Sequence, residues 1–155
     1  MWLFTTLSFF SCNRADEKVP VSVAELISGR QWITTALTIN PGYQFKEGGD
    51  YVTDLYGFYS EEDKVCIIDN LRFFNIKGTY TFEDGATKCN AANPQVFETG
   101  NWVLSSDETT LVTSVSGNIF NYDIISLDAT TLVWRYVIKS QGVDYVFLET
   151  HTINQ

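Results

Sequence analysis

Hydrophobic and polar residues alternate along most of the second half of the chain, and short polar turns interrupt the alternation. A period of two is typical of β-strands that place one face on a core. Turn residues such as Ser116-Gly117-Asn118 and Gln141-Gly142 mark the ends of these stretches. We therefore predict strands at residues 97–105, 110–115, 119–126, 131–139 and 143–153.

The first half of the chain carries three more strand patterns and one helix pattern. Strands are predicted at 32–39, 71–76 and 79–82, with Asn40-Pro41-Gly42 ending the first of them. Ser22 and Glu25 have the spacing of a capping box, and Gly29 is a typical stop, so a short helix is predicted at 23–28. Residues 43–65 form a long insertion, and connections of this length are usually functional or mobile.

Eight strands with short connections predict an all-β fold. Antiparallel neighbours in up-and-down order suit a closed barrel, because closure removes exposed sheet edges. We expect one domain, residues 22–155, in which a short N-terminal helix precedes an eight-stranded antiparallel barrel. A barrel of this size is either filled by side chains or holds one small ligand.

The chain begins with an apolar stretch, residues 2–10, that ends at Ser11-Cys12 and is followed by charged residues. This stretch is too short to span a bilayer and has the length of a signal-peptide core. We expect residues 1–11 to be a signal peptide, truncated because basic residues are missing after Met1, and Cys12 to be lipidated. Residues 12–21 would then form a tether. The alternative is a buried N-terminal strand with a buried thiol.

A lipidated Cys12 places the protein in the cell envelope, as an outer-membrane lipoprotein facing the periplasm or the cell surface. Cys66 and Cys89 would then lie in an oxidising compartment, where an even pair of cysteines indicates a disulfide. Free thiols and a metal site are the alternatives. A zinc site has little support, because the chain has one histidine and no Cys-x-x-Cys spacing.

Charge narrows the range of partners. The formal net charge of the 155-residue chain is −9, which disfavours nucleic-acid binding, because that requires clustered Lys and Arg. Acidity also disfavours charge-driven docking on anionic lipid, so membrane attachment is expected through the acyl chains alone. We expect a monomer whose other partner is a small apolar ligand.

No catalytic or cofactor-binding motif is present, so we expect neither an enzyme nor a cofactor. His151 and Glu149 lie two residues apart and share a strand face, an arrangement that permits acid–base chemistry. A solvated pair at the end of a strand is the simpler interpretation. The acidic residues of the insertion and its flank are calcium-ligand candidates, although their spacing matches no known calcium loop. They are Asp50, Asp54, Glu61, Glu62, Asp63 and Asp69.

Aromatic residues are the strongest ligand-binding candidates. Alternation assigns Arg72 and Arg135 to the outer barrel face and a set of aromatic side chains to the inner face. These inner-face candidates are Phe73, Tyr80, Phe82, Trp102, Phe120, Tyr122, Trp134 and Tyr136. They either fill the barrel or line a cavity, in which buried tyrosine hydroxyls need partners.

Several short motifs follow one another in a defined order. They are Leu26–Trp32, Cys66–Phe73, Gly78-Thr79-Tyr80, Gly85–Cys89, Gly100-Asn101-Trp102 and Leu127–Val133. In these motifs the chain resembles the lipocalin-like domains of lipoproteins from Gram-negative bacteria. The resemblance implies a lipocalin-like barrel and binding of lipid or a small apolar molecule.

Two functional hypotheses follow. In the first, a lipid-anchored envelope barrel buries a small apolar ligand, with the 43–65 insertion near the mouth as a lid. In the second, a packed barrel acts as a non-catalytic module that binds protein or glycan. Its binding surface would include the aromatic side chains of the insertion, Tyr51, Tyr56, Phe58 and Tyr59.

Overall fold

A computed structural model describes residues 21–61 and 64–154. The predicted signal peptide, Cys12 and nearly all of the tether lie outside the described residues. The helices are α1 (Val23–Ile27), α2 (Leu55–Glu61) and α3 (Val65–Ile68). The strands are β1 (Gln31–Tyr43), β2 (Val52–Asp54), β3 (Leu71–Phe74), β4 (Thr79–Glu83), β5 (Val96–Leu104), β6 (Thr110–Val115), β7 (Asn118–Leu127), β8 (Thr131–Ser140) and β9 (Val143–Ile153).

The sheet closes on itself, as the strand pattern predicts. From β3 to β9 each strand pairs antiparallel with the next, and β1 pairs with β3 on one side and β9 on the other. The β1–β9 ladder is long, from Trp32 opposite Ile153 to Asn40 opposite Val146. The predicted eight-stranded up-and-down barrel is therefore confirmed. The short strand β2, which was not predicted, pairs with the second half of β1 beyond the β3 ladder.

Helix α1 covers the end of the barrel at which β1 begins. The predicted capping box is present, because the Ser22 hydroxyl accepts from the Glu25 amide and the Glu25 carboxylate accepts from the Ser22 amide. Ile27 is fully buried, and its carbonyl accepts from the indole nitrogen of Trp32 at 2.8 Å. We call this the closed end and the opposite one, where β1 terminates, the lid end.

The predicted end of the first strand was wrong. β1 continues through Asn40-Pro41-Gly42 to Tyr43. Pro41 is tolerated in this strand because it lies at a position that is not paired with a neighbouring strand, where its missing N–H breaks no ladder hydrogen bond. The β1–β9 ladder stops at Asn40, and the β1–β2 pairs fall at Thr38 and Tyr43.

The insertion, to which no secondary structure was assigned from the sequence, is partly regular. It forms β2 and two short helices, and α2 begins where the Asp54 carboxylate accepts from the Gly57 amide at 3.0 Å. Phe45 stacks on Phe58, with ring centroids 4.5 Å apart, and Tyr59 packs edge-on against both rings. This aromatic packing fixes α2 at the lid end.

The predicted disulfide between Cys66 and Cys89 is confirmed. It joins α3 to the connection between β4 and β5, with the two Cα atoms 5.1 Å apart. Helices of the length and apolar character that a membrane span requires do not occur in residues 21–61 and 64–154.

Candidate functional site

The barrel interior is divided into a packed half and an open half. At the closed end lies a continuous core of buried side chains. It contains Ile27, Trp32, Phe74, Tyr80, Trp102, Leu111, Leu132 and Trp134. Toward the lid end lies a cavity of about 490 Å³. Its inner wall is formed by Arg72, Phe82, Glu98, Thr113, Phe120, Tyr122, Tyr136 and Ile138.

The cavity reaches the surface between β7 and β8. These strands pair only from Asp123 opposite Arg135 to Leu127 opposite Leu132. Toward the lid end they separate, although β7 stays paired with β6 and β8 stays paired with β9. Outward-facing residues such as Asn121 and Val137 therefore line the cavity as well. We call this opening the β7–β8 gap, and the Arg135–Asp123 ion pair, 2.7 Å, lies where it begins.

Arg72 lies on the inner face, so its predicted outward orientation was wrong. Arg72 is opposite Phe82 and Phe74 is opposite Tyr80, which places these four residues on one side of the β3–β4 ladder. Phe73 consequently lies on the opposite face, and Phe74, fully buried, takes the inner position assigned to it. The prediction of Phe73 as an inner-face residue is therefore corrected.

The guanidinium of Arg72 forms part of the cavity floor. Its Nη1 donates to the Tyr80 hydroxyl at 2.8 Å, and its centre lies 4.1 Å from the centroid of the Phe82 ring. Nη2 is 3.7 Å from Oε1 of Glu149, a carboxylate that is almost completely buried. Arginine stays protonated in proteins, and the nearby Glu149 carboxylate compensates the positive charge of Arg72.

Glu149 is the centre of a buried polar cluster beneath the cavity. The Thr34 hydroxyl donates to Oε1 at 2.7 Å, and the Trp134 indole donates to Oε2 at 3.0 Å. Nε2 of His151 lies 3.6 Å from Oε1. Burial acts to raise the pKa of Glu149, but His151 in its protonated form, the Arg72 guanidinium and the hydrogen bonds outweigh burial and hold it below the ordinary value.

The predicted sharing of one face by His151 and Glu149 is confirmed, whereas the solvated interpretation of the pair is wrong. His151 is fully buried, and burial together with the charge of Arg72 lowers the pKa of its imidazole, although Glu149 acts in the opposite sense.

Three phenols surround the cavity floor. Burial raises the pKa of Tyr80 to about 12 and also raises the pKa values of Tyr122 and Tyr136. The hydroxyls therefore stay protonated at physiological pH and can both donate and accept hydrogen bonds.

The aromatic candidates divide between the two halves of the barrel. Tyr80, Trp102 and Trp134 belong to the packed core. Phe82, Phe120, Tyr122 and Tyr136 line the cavity, with Phe120 half-exposed and Tyr122 also part of the packed core.

Arg72, Glu98 and Thr113 also line the cavity but were not among the predicted residues. For Glu98 and Thr113, the alternation of the sequence was sufficient to predict an inner-face position. Glu98 is in phase with Trp102, and Thr113 is in phase with Leu111 and Val115.

A smaller apolar cavity of about 220 Å³ lies beneath α2. Leu55 and Tyr59 cover it from the lid side, and Ile39 and Phe147 form its barrel side. Phe147 stacks in parallel on Tyr136, a residue of the larger cavity, with ring centroids 4.8 Å apart. Ile138 borders both cavities, so the smaller one adjoins the larger.

The aromatic residues of the insertion do not form one exposed surface. Phe58 and Tyr59 pack on Phe45, and Tyr56 is partly buried, whereas Tyr51 is largely exposed. Within the described ranges no group of three His, Cys, Asp or Glu side chains is placed to hold a metal ion. The calcium candidates Glu62 and Asp63 lie outside those ranges.

Solved structures of lipocalins are similar to this chain. A complex of bovine odorant-binding protein with a selenium-containing odorant is 16% identical, with a TM-score of 0.46 over 91% of this chain and 78% of that one. The complex of bovine odorant-binding protein with undecanal is 18% identical, with a TM-score of 0.45 over 90% of this chain and 78% of that one. A bovine lipocalin allergen is 11% identical, with a TM-score of 0.43 over 84% and 75%. No protein-family model matches the chain, and no curated protein sequence is significantly similar to it.

Proposed function

We propose that this protein is a non-catalytic binder of one small, largely apolar molecule, held inside the lid-side half of the barrel. The observation that carries the proposal is the cavity of about 490 Å³ bounded by Phe82, Tyr122 and Tyr136. Small-molecule sites typically enclose about 300–1,000 Å³ and combine apolar walls with a few placed polar groups.

The binding energy would come from burial of the ligand's apolar surface against the aromatic walls, at about 25 cal/mol per Å². The phenols of Tyr122 and Tyr136, which can both donate and accept hydrogen bonds, would orient a polar group of the ligand. The adjoining apolar cavity beneath α2 offers room for an extension of the apolar body.

Titration with the uncharged dye N-phenylnaphthylamine tests this function, because its fluorescence rises in an apolar site. The wild-type protein should bind one equivalent. Thr113→Phe places a ring in the cavity and should weaken binding at least about tenfold, which corresponds to 1.4 kcal/mol. Val103→Phe, at an exposed outer position of the neighbouring strand, is the matched control. Absence of dye binding, or equal binding by both variants, would refute the proposal.

We further propose that the protein is an outer-membrane lipoprotein of the cell envelope, anchored through Cys12. The apolar segment that ends at Ser11-Cys12 supports anchoring. The Cys66–Cys89 disulfide supports an oxidising compartment. Metabolic labelling with an alkyne fatty acid should modify the wild type and not Cys12→Ala. A wild-type protein that takes up no label, or that fractionates with the cytosol, would contradict the proposal.

A further inference from the structure

We propose that the ligand carries a protonated amine, which pairs with Glu98, and an apolar body, which lies against the aromatic rings of the cavity. This inference rests on the binding function proposed above and specifies the chemical class of the ligand. It follows from the position of Glu98, its lack of an ion-pair partner among the described residues, and an aromatic wall that can receive a cation.

Glu98 faces the barrel interior. Its partner across the β4–β5 ladder is Phe82, whose ring lines the cavity, and Glu98 itself lines the same cavity. Burial is the main cause of the raised pKa values of Tyr80 and Tyr122, and the nearby Glu98 side chain acts in the same direction. The Glu98 carboxyl group is therefore accessible to a molecule bound in the cavity.

The charges around the cavity leave Glu98 uncompensated. Arg72 is the cation of the floor, and its Nη2 lies 3.7 Å from Glu149, so these two charges compensate each other. Across residues 21–61 and 64–154, no Lys, Arg or His side chain forms an ion pair with Glu98. Arg135 and Asp123 also line the cavity and pair with each other. Among the described residues that line the cavity, Glu98 is therefore the charged side chain without an ion-pair partner, which favours a cationic ligand beside it over a carboxylate or phosphate.

The aromatic walls favour the same charge. The face of Phe82 is already occupied by the Arg72 guanidinium, 4.1 Å from the ring centroid. One face of Tyr136 stacks on Phe147, and Tyr122 packs against Trp134. Phe120 lines the cavity, is half-exposed and has no such cation, so its ring can receive an alkylammonium. The protonated phenols can also accept hydrogen bonds from its N–H groups.

The whole molecule and the entrance are compatible with a cation. The net charge of −9 concentrates cations near the surface. Arg135 is the cation at the beginning of the β7–β8 gap, and it is paired with Asp123 at 2.7 Å. An ammonium group entering the gap therefore meets no uncompensated positive charge there.

Calorimetric titration of the full chain at neutral pH with three naphthalene ligands tests the inference. Naphthylmethylamine, naphthylmethanol and naphthoate share one bicyclic body and differ in charge. The amine should bind at least about tenfold more tightly than the alcohol, as expected for a charge-assisted hydrogen bond, and naphthoate should bind most weakly.

Glu98→Gln should bring the affinity of the amine down to that of the alcohol and leave the affinity of the alcohol unchanged. Glu108→Gln, in an exposed turn, changes the net charge equally and should leave the preference intact. If the alcohol or naphthoate equals the amine in the wild type, or if Glu98→Gln keeps the preference, the amine assignment is wrong while the binding function stands. If none of the three ligands nor the uncharged dye binds, the binding function itself fails.

Discussion

The Glu149 carboxylate connects side chains from four strands at the barrel centre. It accepts hydrogen bonds from Thr34 and Trp134 and lies 3.7 Å from the Arg72 guanidinium. Removing one partner of a buried ion pair leaves the other charge uncompensated, which typically costs 3–5 kcal/mol. Glu149→Gln should therefore lower the free energy of unfolding by about 3 kcal/mol, measured by urea denaturation.

The double variant Arg72→Met/Glu149→Leu is the matched control for that loss. It removes both charges and replaces them with apolar groups of similar size, so it should recover most of the lost stability. If Glu149→Gln is as stable as the wild type, the cluster does not hold the strands together electrostatically.

His151 gives the protein an acid-sensitive stability. Burial lowers its pKa from the ordinary value of 6.5, so the unfolded chain takes up a proton before the folded chain does. The free energy of unfolding should fall as the pH falls below about 6.5, by at most about 1.4 kcal/mol per pH unit. Carboxylates whose pKa is lowered in the folded state, such as Glu149, reduce the free energy of unfolding further only at a pH below about 4.5, the ordinary pKa of glutamate.

The variant His151→Gln isolates this contribution, because the chain has a single histidine. Urea denaturation between pH 4.5 and 6.5 should show a flatter dependence in the variant than in the wild type. Identical slopes would mean that another group accounts for the titration in this range.

The position of Arg72 explains why the face of β3 was predicted one residue out of phase. In Leu71-Arg72-Phe73-Phe74, alternation favours an outward arginine and inward Leu71 and Phe73. The structure reverses this assignment because Glu149, from a strand remote in sequence, compensates the buried charge. A single sequence does not reveal a partner so remote along the chain. Alternation alone therefore assigns the buried arginine of such a pair to the surface.

At the scale of elements, the disulfide anchors the connection between β1 and β3. It closes a loop between positions 23 residues apart, which restricts the unfolded chain. Replacing both cysteines by alanine should lower the free energy of unfolding by about 3 kcal/mol on the chain-entropy estimate. Urea denaturation without reductant measures the difference. Under reducing conditions the wild type should approach the variant, and a persisting difference would contradict the account.

Most strands could be predicted from the sequence, whereas helix α2 of the insertion could not. A half-buried strand imposes alternation on its residues, so 110–115 and 143–153 coincide with β6 and β9. Helix α2 has only seven residues and contains Gly57, so the helical spacing of Leu55, Phe58 and Tyr59 extends over a single turn and does not by itself predict a helix. It depends on the Asp54 cap and on ring contacts with Phe45, which the fold brings together.

The β7–β8 gap is the lateral opening of the cavity and should control exchange of the ligand. Asn121 lies at this opening, outside the inner wall. Asn121→Trp should slow association and dissociation of N-phenylnaphthylamine about equally, because it obstructs the path and leaves the site itself unchanged. Stopped-flow fluorescence measures both rates. Leu148→Trp, at an exposed position of β9, is the matched control, and unchanged rates in Asn121→Trp would exclude this path.

At the scale of the whole molecule, one barrel combines a packed half with an open half. The packed half contains the fully buried Trp32 and Trp134, whose indoles fill the closed end. The Arg72–Glu149 pair lies beneath the open half, and Tyr122 belongs both to the core and to the cavity wall. The sequence predicted both a filled barrel and a ligand-holding barrel as alternatives, and the structure combines features of each.

The net charge of −9 leads to a prediction about association kinetics that is independent of contacts inside the cavity. An acidic protein attracts cations over distances comparable to the Debye length, about 30 Å at 0.01 M salt and about 8 Å at 0.15 M. The association rate of naphthylmethylamine should therefore fall as salt rises over this range, whereas that of uncharged naphthylmethanol should stay constant. Stopped-flow quenching of tryptophan fluorescence measures both rates. Equal salt dependence of the two ligands would show that the overall charge does not guide the amine to the barrel.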